Sequence, residues 1–326
     1  MYLNRNVILL VTGLLFLGGC SATQTGILGL APAGDRKEYV QARDLYSAGN
    51  YPEAIRHLSD YIYKTKNVKR REARAYRLLG MSYEQLGQLS KALEVYLEAL
   101  EFHPSNVPLL LAAASLYQRT DLTDRSIELY EQVLALEPNN LEALSGQGAN
   151  YSKMGFYSKA RSFYDKFFEL NPSAAPIYRA RYAETFLRQR NYKDAFTHIT
   201  MALAEDNSSA DFWLLSAKAA RGLGRPQEAL ANLEAALLLA PQRRDLLANK
   251  ALWLYEAGRY EASAQTARQL LTQYPENQLA VLILAMDAYY LGDKKESRRL
   301  MQRAFKEDSD SFTGQVAGKL LKQLRF

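Results

Sequence analysis

Apolar and polar residues follow three patterns along this chain of 326 residues. Near the start, a polar, positive Asn4–Arg5 pair precedes an almost purely apolar run from Val7 to Leu17. Eleven helical residues rise about 16 Å, roughly half of a ~30 Å hydrocarbon core, so the run predicts a signal-peptide core rather than a span. It ends in Leu17-Gly18-Gly19-Cys20. Ser21 to Gly34 is rich in small residues and predicts a flexible tether, residues 20–34 once Cys20 is counted. Ile27, Leu28 and Leu30 could instead dock on the first helix or on lipid. From Asp35 a helical pattern takes over and recurs. At the far end Phe312, Val316, Ala317, Leu320, Leu321 and Leu324 share one helical face, with Lys319, Lys322 and Arg325 elsewhere, which predicts an amphipathic helix over 312–326.

The recurrence has a period near 34 residues. Units start at Asp35, Ala73, Val107, Leu141, Pro176, Ala210, Arg244 and Gln278 and end near residue 311. Position 8 of each unit is small: Ala42, Gly80, Ala114, Gly148, Ala183, Ala217, Ala251 and Ala285. Position 20 is small throughout as well, from Ala54 and Ala92 to Ser263 and Ser297. Two helices crossing at these positions would be pushed apart by anything larger. Position 15 is glycine in six units, the exceptions being Asp121 and Arg190, and position 32 is proline in five. Glycine ends a helix in a left-handed conformation, and proline stops the next one. Aromatics at positions 11 and 24 fill the gaps beside the small residues, which accounts for much of the 22 tyrosines.

This pattern of small, glycine, small, aromatic and proline positions resembles the tetratricopeptide repeat, a helix–turn–helix unit. The resemblance implies an all-α, right-handed solenoid of eight repeats over 35–311, with residues 312–326 as a capping helix. One repeat cannot bury its own apolar face, so stability is shared between neighbours. The Leu-Gly-Gly-Cys ending similarly resembles the bacterial lipoprotein box. That resemblance implies cleavage of residues 1–19 and acylation of Cys20. Ser21, in place of the aspartate that retains such proteins in the inner membrane, implies the outer membrane of a Gram-negative envelope, facing the periplasm.

Composition narrows the chemistry. An apolar fraction of 48% and a charged fraction of 23% exclude a wholly disordered chain and a multi-span membrane protein. Cys20 is the sole cysteine, so neither an intrachain disulfide nor a cysteine metal cluster is available. The three histidines, His57, His103 and His198, fall in different repeats, too far apart to share a metal. There is no phosphate loop, nucleophile elbow, metalloprotease motif or dinucleotide fingerprint. Neither enzymatic chemistry, nor a cofactor, nor a metal is expected. The net charge of +6 favours anionic partners but is too diffuse to indicate nucleic acid.

What remains is a surface. In the repeat family, first helices line a concave groove, usually through positions 2, 5, 9, 12 and 13. Here these supply Arg36, Tyr39, Arg43 and Tyr46 in repeat one and Arg74, Arg77 and Met81 in repeat two. Repeats seven and eight supply Tyr255, Tyr289 and Tyr290, with Leu252, Leu279, Leu282 and Met286. Arginine and tyrosine are frequent binding anchors, and such a groove suits an extended peptide or a helix. The arginines could instead be merely solvated, and the apolar C-terminal residues covered by the capping helix. A basic stretch, Lys64, Lys66, Lys69, Arg70 and Arg71, lies between repeats one and two. It would face lipid headgroups, lipopolysaccharide or an acidic partner, or else form a solvated loop. The carboxylate clamp that some tetratricopeptide domains use on chaperone tails is missing: Tyr39 and Arg43 stand where it needs lysine and asparagine. The reading is a non-catalytic, lipid-anchored adaptor for protein partners in assembly of a pilus, secretion or export machine. The alternative is a binding module for an anionic envelope polymer such as an exopolysaccharide.

Overall fold

The computed structural model describes residues 33–64 and 72–324, with the side chains of 33–36 and 64 outside that description. Among the described residues there are seventeen α-helices and no strands. The first eight are α1 (Ala33–Ser47), α2 (Tyr51–Lys64), α3 (Ala73–Gln85), α4 (Leu89–Phe102), α5 (Val107–Arg119), α6 (Thr123–Leu136), α7 (Leu141–Lys153) and α8 (Tyr157–Leu170). They continue with α9 (Pro176–Arg188), α10 (Tyr192–Glu205), α11 (Ala210–Gly222), α12 (Pro226–Leu239), α13 (Arg244–Glu256) and α14 (Tyr260–Gln273). The last three are α15 (Gln278–Tyr290), α16 (Lys294–Glu307) and α17 (Phe312–Gln323). From α3 onward each odd helix up to α15 begins on the first residue of a repeat, whereas α1 begins two residues before Asp35.

Local chemistry sets the ends. Asn106, Asn140 and Asn277 each stand two residues after a proline and accept a hydrogen bond from the N3 amide, at 3.1, 3.0 and 3.0 Å. So the proline that ends one repeat is followed by the cap that starts the next. First helices close on a left-handed residue: six glycines have φ between 69° and 89°. Asp121 and Arg190 take the same conformation without being glycine, at φ 64° and 60°. The closing hydrogen bonds persist there: Leu122 N donates to Tyr117 O at 2.9 Å, and Asn191 N to Phe186 O at 2.9 Å. Repeat geometry therefore imposes the turn and glycine merely makes it inexpensive.

Within a hairpin, the small residue at position 8 faces the residue at position 24. A Cβ on Gly148 would lie 2.7 Å from the Tyr164 ring, and one on Gly80 would run into Tyr96. Tyr96, Tyr130 and Tyr164 are all but inaccessible. Elsewhere position 24 is Leu58, Ile199, Leu233, Ala267 or Met301, so the aromatic expected there is present in three repeats only. First helices also pack on first helices two elements along, as in α3–α5, α5–α7, α7–α9 and α9–α11. They form the inner layer and the second helices the outer one.

The helix α17 lies against α16 and α15. Ala317 is fully buried, and Val316, Leu320, Leu321 and Leu324 pack onto a cluster containing Leu282, Ile283, Ala285 and Met301. Leu282 is only 4% exposed, and Leu252, Leu279 and Met286 are packed against the same cluster. These apolar side chains belong to the core, not to an open C-terminal groove: α17 covers a face that repeat eight cannot bury by itself.

Candidate partner-binding groove

Of the residues expected at the N-terminal end, Arg36 lies in α1 and Lys64 ends α2. Cys20, Lys66, Lys69, Arg70 and Arg71 lie outside the described residues. The Arg74 guanidinium lies over the Tyr39 ring, 4.7 Å from its centroid, and is ion-paired with Glu72. Arg43 is bound to Asp44 at 3.0 Å. The Tyr46 ring meets Tyr51 edge-on, with centroids 5.4 Å apart. Met81 is half-buried and Arg77 is exposed. Two of the arginines are thus already occupied by neighbouring carboxylates, which reduces what they can offer an anionic polymer.

At the C-terminal end the structure brings Tyr255, Tyr289 and Tyr290 together and adds Tyr260, which spacing along first helices cannot reveal because it starts α14. Tyr260 and Tyr290 stack with centroids 4.6 Å apart and planes 5° from parallel. Tyr255 sits 5.9 Å from Tyr290, and burial, followed by its contact with Tyr290, pushes the Tyr255 hydroxyl far above the ordinary tyrosine range. Tyr290 remains 56% exposed, so the cluster offers a stacking face at the groove edge.

A third region was not anticipated. Between α5, α7 and α9 lies an open cleft of about 350 Å³, lined among others by Gln118, Asn150, Lys153, Arg181, Thr185 and Arg188. These belong to first helices, mostly at positions 9, 10, 12 and 13, so the cleft is a stretch of the groove itself. Its floor is a buried polar network. Gln118 Nε2 donates to Asn150 Oδ1 at 2.8 Å and to Gly146 O at 3.2 Å. Asn150 Nδ2 donates to Ser126 Oγ at 2.8 Å, and Ser126 Oγ to Ala114 O at 2.8 Å. The network ties α5, α6 and α7 and holds the Asn150 and Gln118 amides in place. Tyr164 also lines the cleft. Its ring is inaccessible, its hydroxyl has no hydrogen-bond partner, and burial raises its pKa far beyond the ordinary range, so it is a neutral donor.

Charge around the cleft is organised as rungs between adjacent first helices. Arg119 of α5 pairs with Glu84 of α3, and Lys153 of α7 with Asp121 just beyond α5. Arg188 bonds Glu184 within α9 at 2.9 Å, and Arg221 of α11 reaches Glu256 of α13 at 2.5 Å. Among the described residues Arg181 forms no such pair; it lies 5.7 Å from the Tyr178 ring centroid and is exposed. Among the described residues the cleft thus presents one exposed guanidinium without a carboxylate, above a floor whose Asn150 amide and Tyr164 hydroxyl are buried, an arrangement suited to an acidic side chain of a partner rather than to bond-making chemistry.

Histidines do not assemble a site. Burial first, then Arg179, lowers the pKa of His198, which lies 4.6 Å from the Tyr182 ring and stacks on Phe186 at 5.3 Å. Among the described residues no group of three or more His, Cys, Asp or Glu side chains could hold a metal ion. Among them, too, no helix is long and apolar enough to cross a membrane.

Family profiles described as tetratricopeptide repeat match residues 39–107, 214–278 and 109–144. Among curated proteins, 101 residues are 34% identical to human RANBP2-like and GRIP domain-containing protein 8, covering 30% of this chain and 6% of that protein. Human E3 SUMO-protein ligase RanBP2 is 34% identical over 88 residues, covering 27% of this chain and 3% of that protein. The chain thus spans only a small fraction of these much longer relatives. Among solved structures, a tetratricopeptide repeat protein from Parabacteroides merdae superposes with a TM-score of 0.64 at 20% identity, covering 78% of this chain and 99% of that one. PilW, a type IV pilus biogenesis factor, gives 0.61 at 18% identity over 65% of this chain and 98% of PilW. The structure of the anaphase-promoting complex assembly Cut9–Hcn1 gives 0.60 at 15% identity over 91% of this chain and 57% of that one. These likenesses carry the fold. With matches over just over half of its length, and hairpins that keep the same phase from α1 to α16, the chain belongs to the tetratricopeptide repeat family.

Proposed function

We propose that this protein is a non-catalytic scaffold that holds a segment of a protein partner along its inner layer of helices. The observation that carries this reading is the polar cleft between α5, α7 and α9. There, the Asn150 and Gln118 amides are fixed by their own hydrogen bonds, while among the described residues the exposed Arg181 guanidinium has no carboxylate of its own. Groups already ordered before binding lose little entropy when a peptide arrives. The Tyr255–Tyr260–Tyr290 face would extend the contact toward the C-terminal end.

The reading continues to location. Acylation of Cys20 would tether the scaffold to the periplasmic face of the outer membrane, and several acyl chains anchor stably where one does not. A role in assembling a pilus, secretion or export machine fits that position, and the likeness to PilW supports it at the level of fold.

A photo-crosslinking residue at Ala149, in the cleft, compared with one at Ser162 on α8, tests the scaffold. A defined adduct from position 149, absent from 162 and lost with Arg181→Glu, is the expected result. Equal adducts from both positions, unaffected by Arg181→Glu, would remove the groove from the argument. Separately, Cys20→Ser should move the protein out of the outer-membrane fraction; unchanged fractionation would refute the lipid tether.

A further inference from the structure

The outer face of the last hairpin is cationic and aromatic in a way that neither capping nor groove binding explains. On α16, Lys295, Arg298, Gln302 and Phe305 recur at spacings of three and four and form one stripe. On α17, Phe312, Gln315, Lys319 and Lys322 form another, and all four are exposed. The two stripes meet in a cleft of about 570 Å³ lined by Phe305, Phe312, Gly318, Lys319, Leu321 and Lys322. Gly318 lets the Phe305 ring lie close against α17: a Cβ there would be 2.9 Å from the ring. Phe305 nevertheless stays 40% exposed, and Phe312 is 84% exposed. Further along α16, a second cleft of about 440 Å³ is lined by Lys294, Lys295, Arg298, Arg299 and Gln302.

Three of the acidic residues nearby are engaged. Glu296 holds Arg299 at 2.6 Å, Glu307 holds Arg303 at 2.7 Å, and Asp308 accepts the amides of Asp310 and Ser311 at 3.1 and 3.0 Å. Lys294, Lys295, Lys306, Lys319 and Lys322 make no ion pair among the described residues.

We propose that this face of α16 and α17 docks on an anionic phospholipid bilayer, with the lysines at the headgroups and Phe312 and Phe305 entering the interface. Lysines within a Debye length of an anionic surface each add attraction, and aromatic side chains settle at the headgroup level. A folded acidic partner would need a pocket shaped to Phe312, whereas a fluid interface accepts the ring wherever it lands. The contact requires neither acylation of Cys20 nor an occupied groove. With the tether it would hold the solenoid to the bilayer at both ends.

The test uses the full chain with Cys20→Ser and Gln315→Cys, so that one nitrobenzoxadiazole label reports on α17. On phosphatidylcholine vesicles containing phosphatidylglycerol the emission should shift to the blue. Apparent vesicle affinity should fall about tenfold or more with Lys319→Glu and Lys322→Glu together, and should weaken as salt rises. The same label at Ser162→Cys, on α8, should not shift, which separates docking by α17 from insertion of the N-terminal apolar run. The substitutions at Ser162, Gln315, Lys319 and Lys322 are at exposed positions, and circular dichroism checks that the variants fold. An unshifted label on these vesicles would overturn the proposal. So would a shift that is equal on pure phosphatidylcholine and unaffected by the lysine changes. A response to polyglutamate with none to vesicles would assign the face to an acidic protein instead.

Discussion

Asp287 sits in the last turn of α15, fully buried, and among the described residues neither carboxylate oxygen accepts a hydrogen bond of good geometry. Ser263 is beside it and offsets its burial only in part, because the single Ser263 hydroxyl hydrogen is given to Ala251 O at 2.9 Å. The same arrangement occurs four repeats earlier with a different residue. There Asn150 donates to Ser126 Oγ, and Ser126 Oγ donates to Ala114 O. An amide suits the site because it brings its own hydrogen, and a carboxyl group suits it only when protonated. Burial accordingly raises the Asp287 pKa from 3.8 to about 6. Between those values the folded chain binds a proton that the unfolded chain has lost, so stability falls as pH rises through the window. Two pH units correspond to about 2 to 3 kcal/mol, lost in full above about pH 6. Asp287→Asn should recover it. At pH 8 thermal unfolding should shift upward by several degrees, and amide exchange across α15 to α17 should slow. At pH 4 the two proteins should differ little. The ends of a repeat array can open without the middle, so local exchange is the more direct readout. A gain of equal size at both pH values, or a loss at pH 8, would refute the argument that an unpaired carboxylate is responsible.

Other consequences follow from the hairpin contacts. Gly80→Ala places a methyl group against the Tyr96 ring, whose hydroxyl is pinned to Glu84 Oε1 at 2.7 Å, so urea unfolding should show a loss of about 1 to 3 kcal/mol. Arg190→Gly relieves a left-handed residue that makes no ion pair among the described residues, and should raise stability by about 0.5 to 1 kcal/mol in the same assay; a loss would mean that the Arg190 side chain contributes something the geometry does not reveal. Leu320→Asp should strip α17 from its cluster, exposing Leu282 and increasing dye binding and aggregation while leaving exchange in α5 to α8 unchanged.

The groove was only partly legible in the sequence. Positions 2, 5, 9, 12 and 13 point inward, so Tyr39, Arg74, Tyr255 and Tyr290 could be singled out by counting. Counting does not show that Arg43 and Arg74 are taken by Asp44 and Glu72, or that Tyr260 joins the tyrosine cluster from a second helix. Nor did it reveal the cleft of α5, α7 and α9. A signal was present: α7 carries Ser145, Gln147, Asn150 and Ser152, all buried. Polar residues on an otherwise buried helix predict either a network or a ligand.

The sequence by itself determined the period, the class of fold and the helix ends, because those depend on requirements met within a few residues: a small side chain at a crossing, a cap after a proline, a left-handed turn. Even Asp121 and Arg190 follow the turn that their repeat position requires. The tertiary structure decided which side chains are free. An arginine available to a partner and one already neutralised have the same local sequence logic. They differ by a carboxylate that can lie 35 residues away on the next first helix, as for Arg119 with Glu84 and Arg221 with Glu256. Likewise Leu282 sits at a groove position of its own repeat, yet it is buried in a cluster that α17 helps to close. Local rules build each hairpin, but only stacking brings together the residues that compete for the same surface.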